Sequence, residues 1–160
     1  MNLKWLLFKL IFPQILHLIY ASVNSWFFDL YDIMEIMDNK ENLQYRRHTL
    51  AHLLGAAVLD MYPDAKLTIG PAIENGFYYD FDLSEKISDA DLPKIEAKMK
   101  KLLPAWKEFK KESVSKDDAL SAYKNNDYKK ELISEINDKG EDITFYTSGK
   151  FTDLCRGGHM

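Results

Sequence analysis

Three of the four histidines in this chain, and its single cysteine, fall into two pairs with the same spacing. His48 and His52 stand four residues apart in HTLAH, and Cys155 and His159 stand four apart in CRGGH. Neutral imidazole and thiolate are the ligand types zinc prefers, so the four side chains fit a tetrahedral metal site. They equally fit a hydrolytic pocket in which imidazoles handle protons while a positioned water attacks an ester. The plainest alternative is a satisfied histidine pair beside a buried cysteine that fills space as a small apolar group. H-x-x-x-H alone is weak. Joined to C-x-x-x-H at the far end of one domain, it becomes far more specific.

The elements that must carry these pairs are legible in outline. Leu50, Leu53, Leu54, Ala57, Val58 and Met61 recur at helical spacing and predict a helix from about Glu41 to Met61, ended by Tyr62-Pro63. His48 and His52 share one face of that helix, nearly opposite the leucine stripe. A solvated face would carry Lys and Glu there. Instead its neighbours are Gly55, Ala56 and Leu59, with no charged residue between His48 and Leu59. Such a helix is covered on both sides and lines a pocket, the small residues leaving room beside the imidazoles. In CRGGH, Gly157 and Gly158 favour a tight turn that folds Cys155 and His159 toward one point.

Between the pairs, strands are predicted at Lys66–Ile69 and Gly76–Leu83, separated by the turn signals Gly70-Pro71 and Asn75-Gly76. Ser88 with Asp91 resembles a capping box for a helix reaching about Leu103. Phe109–Val114 reads as a strand, Ser115 with Asp118 as a second cap, and Asn126–Asn137 as a further helix. Ile143–Tyr146 and Phe151–Leu154 read as closing strands. The sum is an α+β fold with an antiparallel sheet packed against helices.

The 160 residues are 46% hydrophobic and 29% charged, which excludes disordered and collagenous classes. The net charge of −4 excludes a strongly basic nucleic-acid cloak while leaving room for local basic patches. One cysteine excludes an intramolecular disulfide framework and suits a reducing compartment, so the cytoplasm is expected. The length is that of one ordinary domain, too short for a multidomain synthetase, polymerase or transporter.

Residues 37–160 read as that domain, and residues 1–36 stand apart. Leu3 to Ile36 is dense in Leu, Ile, Phe, Trp and Tyr, with Lys4 and Lys9 near its start, like a signal anchor or membrane-surface helix. Pro13, Lys9, Gln14 and His17 interrupt it, and no stretch reaches the roughly 18 to 20 apolar residues that spanning requires. The preferred reading is translation from Met37, with residues 1–36 as upstream sequence, His17 as an interfacial side chain, and no membrane partner.

From Tyr45 to His159 the sequence resembles the editing-domain family shared by threonyl- and alanyl-tRNA synthetases. The likeness is carried by HTLAHLLGAAVLDMYPDAKLTIGPAIENGFYYDFDL, then DYKKEL, then FTDLCRGGH, in that order and spacing. What it implies is hydrolysis of mischarged tRNA, chiefly serine esterified to threonine tRNA. In that reading His48 and His52 position the attacking water or the terminal ribose. Lys129, in DYKKEL, offers charge to the ester or phosphate end. Asp153 and Cys155 shape the amino-acid end, and His159 completes the polar ring. Tyr79, in GFYYD, becomes a stacking platform for the terminal adenine, and the lysines from Lys94 to Lys111 a contact for the acceptor stem.

The resemblance also implies limits. The family's domain continues beyond the final histidine, so an editing domain lacking its last strand or strands is expected, as the front part of a longer synthetase. ATP and magnesium belong to a ligase core that these residues do not resemble. Alanyl-type relatives place zinc on the four positions His48, His52, Cys155 and His159. The threonyl type, which GPAIENGFYYD and Lys129 favour, has no obligatory metal. Two alternatives stay open: a free-standing zinc-dependent deacylase of the alanyl type, and an inert or purely tRNA-binding fragment.

Overall fold

A helix buried on all sides through its middle turns organises the chain. In the computed structural model, which describes residues 40–160, helix α1 runs Lys40–Met61 and every residue from Ala51 to Val58 is buried. An ordinary surface helix buries one stripe; burial on all sides needs neighbours on all sides. These are a long irregular hairpin on one flank, and helix α2 (Leu92–Leu102), whose Ile95 and Met99 are buried, on another. The predicted leader at residues 1–36, with His17 and the proposed start at Met37, lies outside the described residues. Among the described residues no helix is long and apolar enough to cross a membrane.

The hairpin differs from the two strands predicted. It is built of four two-residue pieces: β1 (Lys66–Leu67) pairs antiparallel with β4 (Phe81–Asp82), and β2 (Ala72–Ile73) with β3 (Gly76–Phe77). Between them the backbone still bonds irregularly, Thr68 N to Asp80 O at 3.0 Å and Asp80 N to Ile69 O at 2.9 Å. Pro71 sits at the break, and proline has no N–H to give a ladder. The interruption lets Tyr79 turn inward, where its ring nests against Gly55 and Gly70. A Cβ on Gly55 would lie 2.9 Å, and one on Gly70 2.3 Å, from the tyrosine ring. The room beside the imidazoles expected at Gly55 is thus filled by Tyr79.

The capping signals place the remaining helices. The Asp91 carboxylate accepts from the Ser88 N–H at 3.1 Å and its hydroxyl at 2.7 Å, ahead of a short 3-10 turn and α2. Ser115 Oγ accepts from Asp118 N at 3.1 Å to start α3 (Lys116–Ala122). Asn126 does two things at once. Its Oδ1 accepts from Lys129 N at 3.2 Å to start α4 (Asp127–Asp138), and its Nδ2 donates to Leu67 O at 2.7 Å, tying α4 to β1.

The remaining sheet is three-stranded and antiparallel, in the order β5 (Lys110–Ser113), β6 (Thr144–Ser148), β7 (Phe151–Leu154). Ser148 faces Phe151 across a two-residue turn in which Gly149 has φ 57°, the twist that suits a tight hairpin. Along β7, Phe151 and Asp153 are buried and Thr152 is exposed, so Asp153 points inward with Phe151. The fold class is α+β, with α3 and α4 packed on a smaller core around Ala119, Ile133, Ile143 and Phe145.

Candidate functional site

The end of the chain is docked beside the first helix by a small set of hydrogen bonds. Cys155 N donates to Thr144 O at 3.0 Å, and Thr144 Oγ1 donates to Cys155 O at 2.5 Å. Five residues on, the Thr49 hydroxyl on α1 lies 3.1 Å from both the N–H and the carbonyl of Met160. The backbone turns between these pins at Gly157 (φ 104°) and Gly158 (φ 84°), as the glycine pair predicted. Neither position has space for a side chain: a Cβ on Gly157 would lie 2.4 Å from the Tyr146 hydroxyl.

The docking brings both sequence pairs to one point. His48 Nε2 is 3.1 Å from His52 Nε2 and 3.5 Å from Cys155 Sγ, and Cys155 Sγ is 3.2 Å from His159 Nε2. The four donor atoms all lie within 4.8 Å of one another. Zinc bonds of about 2.0–2.3 Å give tetrahedral edges of about 3.3–3.7 Å. Three measured separations are near that range. The donor set therefore fits a divalent ion, although its widest separation, up to 4.8 Å, exceeds the edge of an ideal tetrahedron.

Electrostatics keeps the cluster uncharged. Burial holds the His48 imidazole below its ordinary range, against opposing contributions from the Gly157 and Gly158 backbone. Burial, reinforced by neighbouring imidazoles, lowers His52 and His159 to about 3. Burial pushes the Cys155 thiol up to about 11. Near neutral pH these are three neutral imidazoles and a protonated thiol. Without a cation the thiol is not a nucleophile, and the imidazoles are weak bases. His159 is stacked between Phe109 (centroids 4.2 Å apart) and His48 (4.4 Å), and its Nδ1 is buried with no partner.

Beside the neutral cluster sits a buried ion pair. Lys129 is 1% exposed and Asp153 2%, and Nζ lies 2.5 Å from Oδ1. Asp153 also accepts from the Tyr79 hydroxyl on Oδ2 and from the Tyr123 hydroxyl on Oδ1 at 3.1 Å. His52 Nδ1 is 3.9 Å from Oδ2, an electrostatic neighbour beyond hydrogen-bond reach. The Lys129 ammonium lies 6.0 Å from the Tyr79 ring centre and 5.7 Å from that of Tyr123. Two aromatic faces thus flank a cation whose counter-charge is already in contact.

His48, His52, Lys129, Asp153 and Cys155 line one cavity of about 550 Å³, with Ile69, Pro71 and the Gly157–Gly158 turn on its wall. His159 braces Cys155 and His48 and is not on that wall. Tyr79 requires a correction. It is 1% exposed, its ring stacked on Phe81 at 5.0 Å and its hydroxyl spent on Asp153, so no ring face is open to stack a base. Of the lysines expected to meet an acceptor stem, Lys94, Lys98 and Lys100 pair with Asp91, Asp60 and Glu96. Tyr123 went unnoticed in the sequence, because nothing local marks a tyrosine after a short helix as the partner of a carboxylate on another strand.

No family model matches the chain. The threonine--tRNA ligase of Desulfatibacillum aliphaticivorans is 50% identical over 122 residues, which is 76% of this chain and 19% of that protein. That of Rubrobacter xylanophilus is 46% identical over 123 residues, 77% of this chain and 19% of the relative. That of Thermotoga neapolitana is 46% identical over 127 residues, 78% of this chain and 20% of the relative. The chain spans about a fifth of the length of these curated relatives. Through that stretch, three quarters of its own length, this chain is related to threonine--tRNA ligase.

Proposed function

We propose that residues 37–160 belong to the editing domain of a threonyl-tRNA synthetase, which hydrolyses serine from mischarged threonine tRNA. The observation that carries this reading is the convergence of His48, His52, Lys129, Asp153 and Cys155 on one cavity of about 550 Å³. That is the size class of pockets that enclose small organic ligands, and an aminoacyl-adenosine end falls within it. The need is physical. A synthetic site that accepts threonine gains only ~1–3 kcal/mol over serine from one methyl, so a second site must remove the smaller product.

The chemistry supported here is positioning and charge rather than strong base catalysis. The His52 imidazole, lowered by burial to about 3, has little drive to take a proton from water, and burial weakens His48 as a base in the same direction. His48 and His52 instead orient the attacking water or the terminal ribose by hydrogen bonds. The Lys129 ammonium stabilises negative charge growing on the ester oxygen, while Asp153 holds it in place and shapes the amino-acid end with Cys155. His159 keeps Cys155 and His48 in register. In this reading the cofactor need is none, tRNA is the partner together with the rest of the synthetase, the compartment is the cytoplasm, and ATP and magnesium serve only the ligase core.

A second reading is favoured by one observation, the four donors within 4.8 Å. In it the chain is a zinc-dependent deacylase of the alanyl type, with His48, His52, Cys155 and His159 holding the ion. Zinc would supply Lewis acidity at the ester. Serine release from mischarged threonine tRNA, measured for the wild type and for His48→Ala/His52→Ala, tests the proposal. Release by the wild type alone supports it. Equal, background-level release by both leaves only an inert or tRNA-binding chain.

A further inference from the structure

We infer that Tyr123 is a positioning residue for the hydrolytic site, acting through the Asp153 carboxylate; this rests on the editing reading above. Asp153 is a buried carboxylate in direct contact with Lys129, and its hydrogen bonds are unequally shared between its oxygens. Oδ2 has the Tyr79 hydroxyl, with His52 at 3.9 Å. Oδ1 receives Lys129 Nζ at 2.5 Å, Leu154 N at 2.9 Å and the Tyr123 hydroxyl at 3.1 Å.

The Tyr123 hydroxyl is doubly engaged. It donates to Asp153 Oδ1 and accepts from Leu154 N at 2.9 Å, so it joins the carboxylate to the backbone of the very next residue of β7. Its ring is fixed edge-to-face on Phe145 at 5.6 Å, and Lys129 Nζ lies 5.7 Å from the ring centre. Burial and Asp153 raise the phenol well above its usual range, so it stays a donor at any physiological pH.

A second cavity, of about 530 Å³, has both Tyr123 and Asp153 in its lining. Tyr123 lines this second cavity and not the first, whereas Asp153 lines both. The tyrosine therefore holds Asp153 from outside the first cavity, on the same oxygen that meets Lys129. Without that hydroxyl, Oδ1 loses a neutral donor and the carboxylate gains freedom to rotate. Tyr123 touches no substrate in this arrangement. Its effect reaches the reaction only through the placement of charge.

The test is steady-state serine release from mischarged threonine tRNA by the full 160-residue chain, comparing wild type, Tyr123→Phe and Tyr123→Leu. Phenylalanine keeps the ring against Phe145 and Lys129 and removes only the hydroxyl. The expected result for Tyr123→Phe is a kcat lowered about tenfold with KM within about twofold. Its thermal midpoint should stay within about 5 °C of the wild type. Leucine, which also loses the ring, should be slower still and less stable. A Tyr123→Phe kcat within twofold of the wild type would overturn the inference while leaving the editing reading intact. So would a loss of activity that merely tracks a loss of folded protein. A wild-type chain that releases no serine would instead overturn the editing reading, and this inference with it.

Discussion

His48 Nε2 and Cys155 Sγ lie 3.5 Å apart across 107 residues of sequence. The contact exists because Thr49, beside the histidine, and Thr144, on β6 next to the end of β7, each pin the terminal turn. Any change that loosens that turn should act on the site at a distance from its reacting groups.

Gly157→Ala is the direct case. The residue has φ 104°, and an added Cβ would lie 2.4 Å from the Tyr146 hydroxyl. The expected cost is about 1–3 kcal/mol of local strain, with serine release slowed by about a hundredfold as Cys155 moves. Combining it with Tyr146→Phe should recover part of the stability, since the clash eases and the backbone strain remains. Urea denaturation and the release assay read the two effects separately.

Breaking the buried ion pair should be worse than removing it. Lys129→Met leaves Asp153, 2% exposed, without its cation, and is expected to destabilise by about 3–5 kcal/mol. The double variant Lys129→Met/Asp153→Leu should be more stable than either single one. A double-mutant cycle by urea denaturation measures this, and both singles should abolish serine release.

Stability should fall with acid well above the carboxylate range. His52 is held at about 3 in the folded chain, against about 6.5 unfolded, so below pH 6.5 the unfolded state binds a proton that the folded state refuses. The contribution is complete above pH 6.5 and declines as pH falls toward 3, by about 1.4 kcal/mol per pH unit for this residue. His159, also held at about 3, shifts the slope in the same direction. His52→Gln should flatten the dependence between pH 6.5 and 4.5, measured by denaturant midpoints across that window.

Metal removal separates the two proposed chemistries. With positioning and charge alone, dialysis against a chelator should leave serine release within about twofold, because no step depends on a Lewis acid. Loss of release, restored by stoichiometric zinc and not restored in Cys155→Ala, would favour the zinc-dependent reading.

Much of this fold was legible because its signals are local. The apolar repeat from Leu50 to Met61, and the caps at Ser88 and Ser115, act within a turn or two of themselves, and each falls where an element begins or runs. The pairing of the H-x-x-x-H and C-x-x-x-H motifs was legible through composition, since so few residues of those types exist. The hairpin was legible only as two arms and the turn signals between them. Its alternating aromatics read as one strand, and the break at Pro71 that sends Tyr79 inward depends on Gly55, a residue on another element. The grip on Asp153 by Tyr79 and Tyr123 spans 74 and 30 residues, and no local spacing encodes such a contact.

The most direct measurement uses a substrate mimic that cannot be cleaved: adenosine carrying serine through a 3′-amide, titrated into the isotope-labelled chain. The account predicts saturable shifts in the signals of His48, His52, Lys129 and Cys155, with the serine mimic bound more tightly than its threonine counterpart. Saturable binding that perturbs a different surface and leaves those four residues unmoved would contradict it.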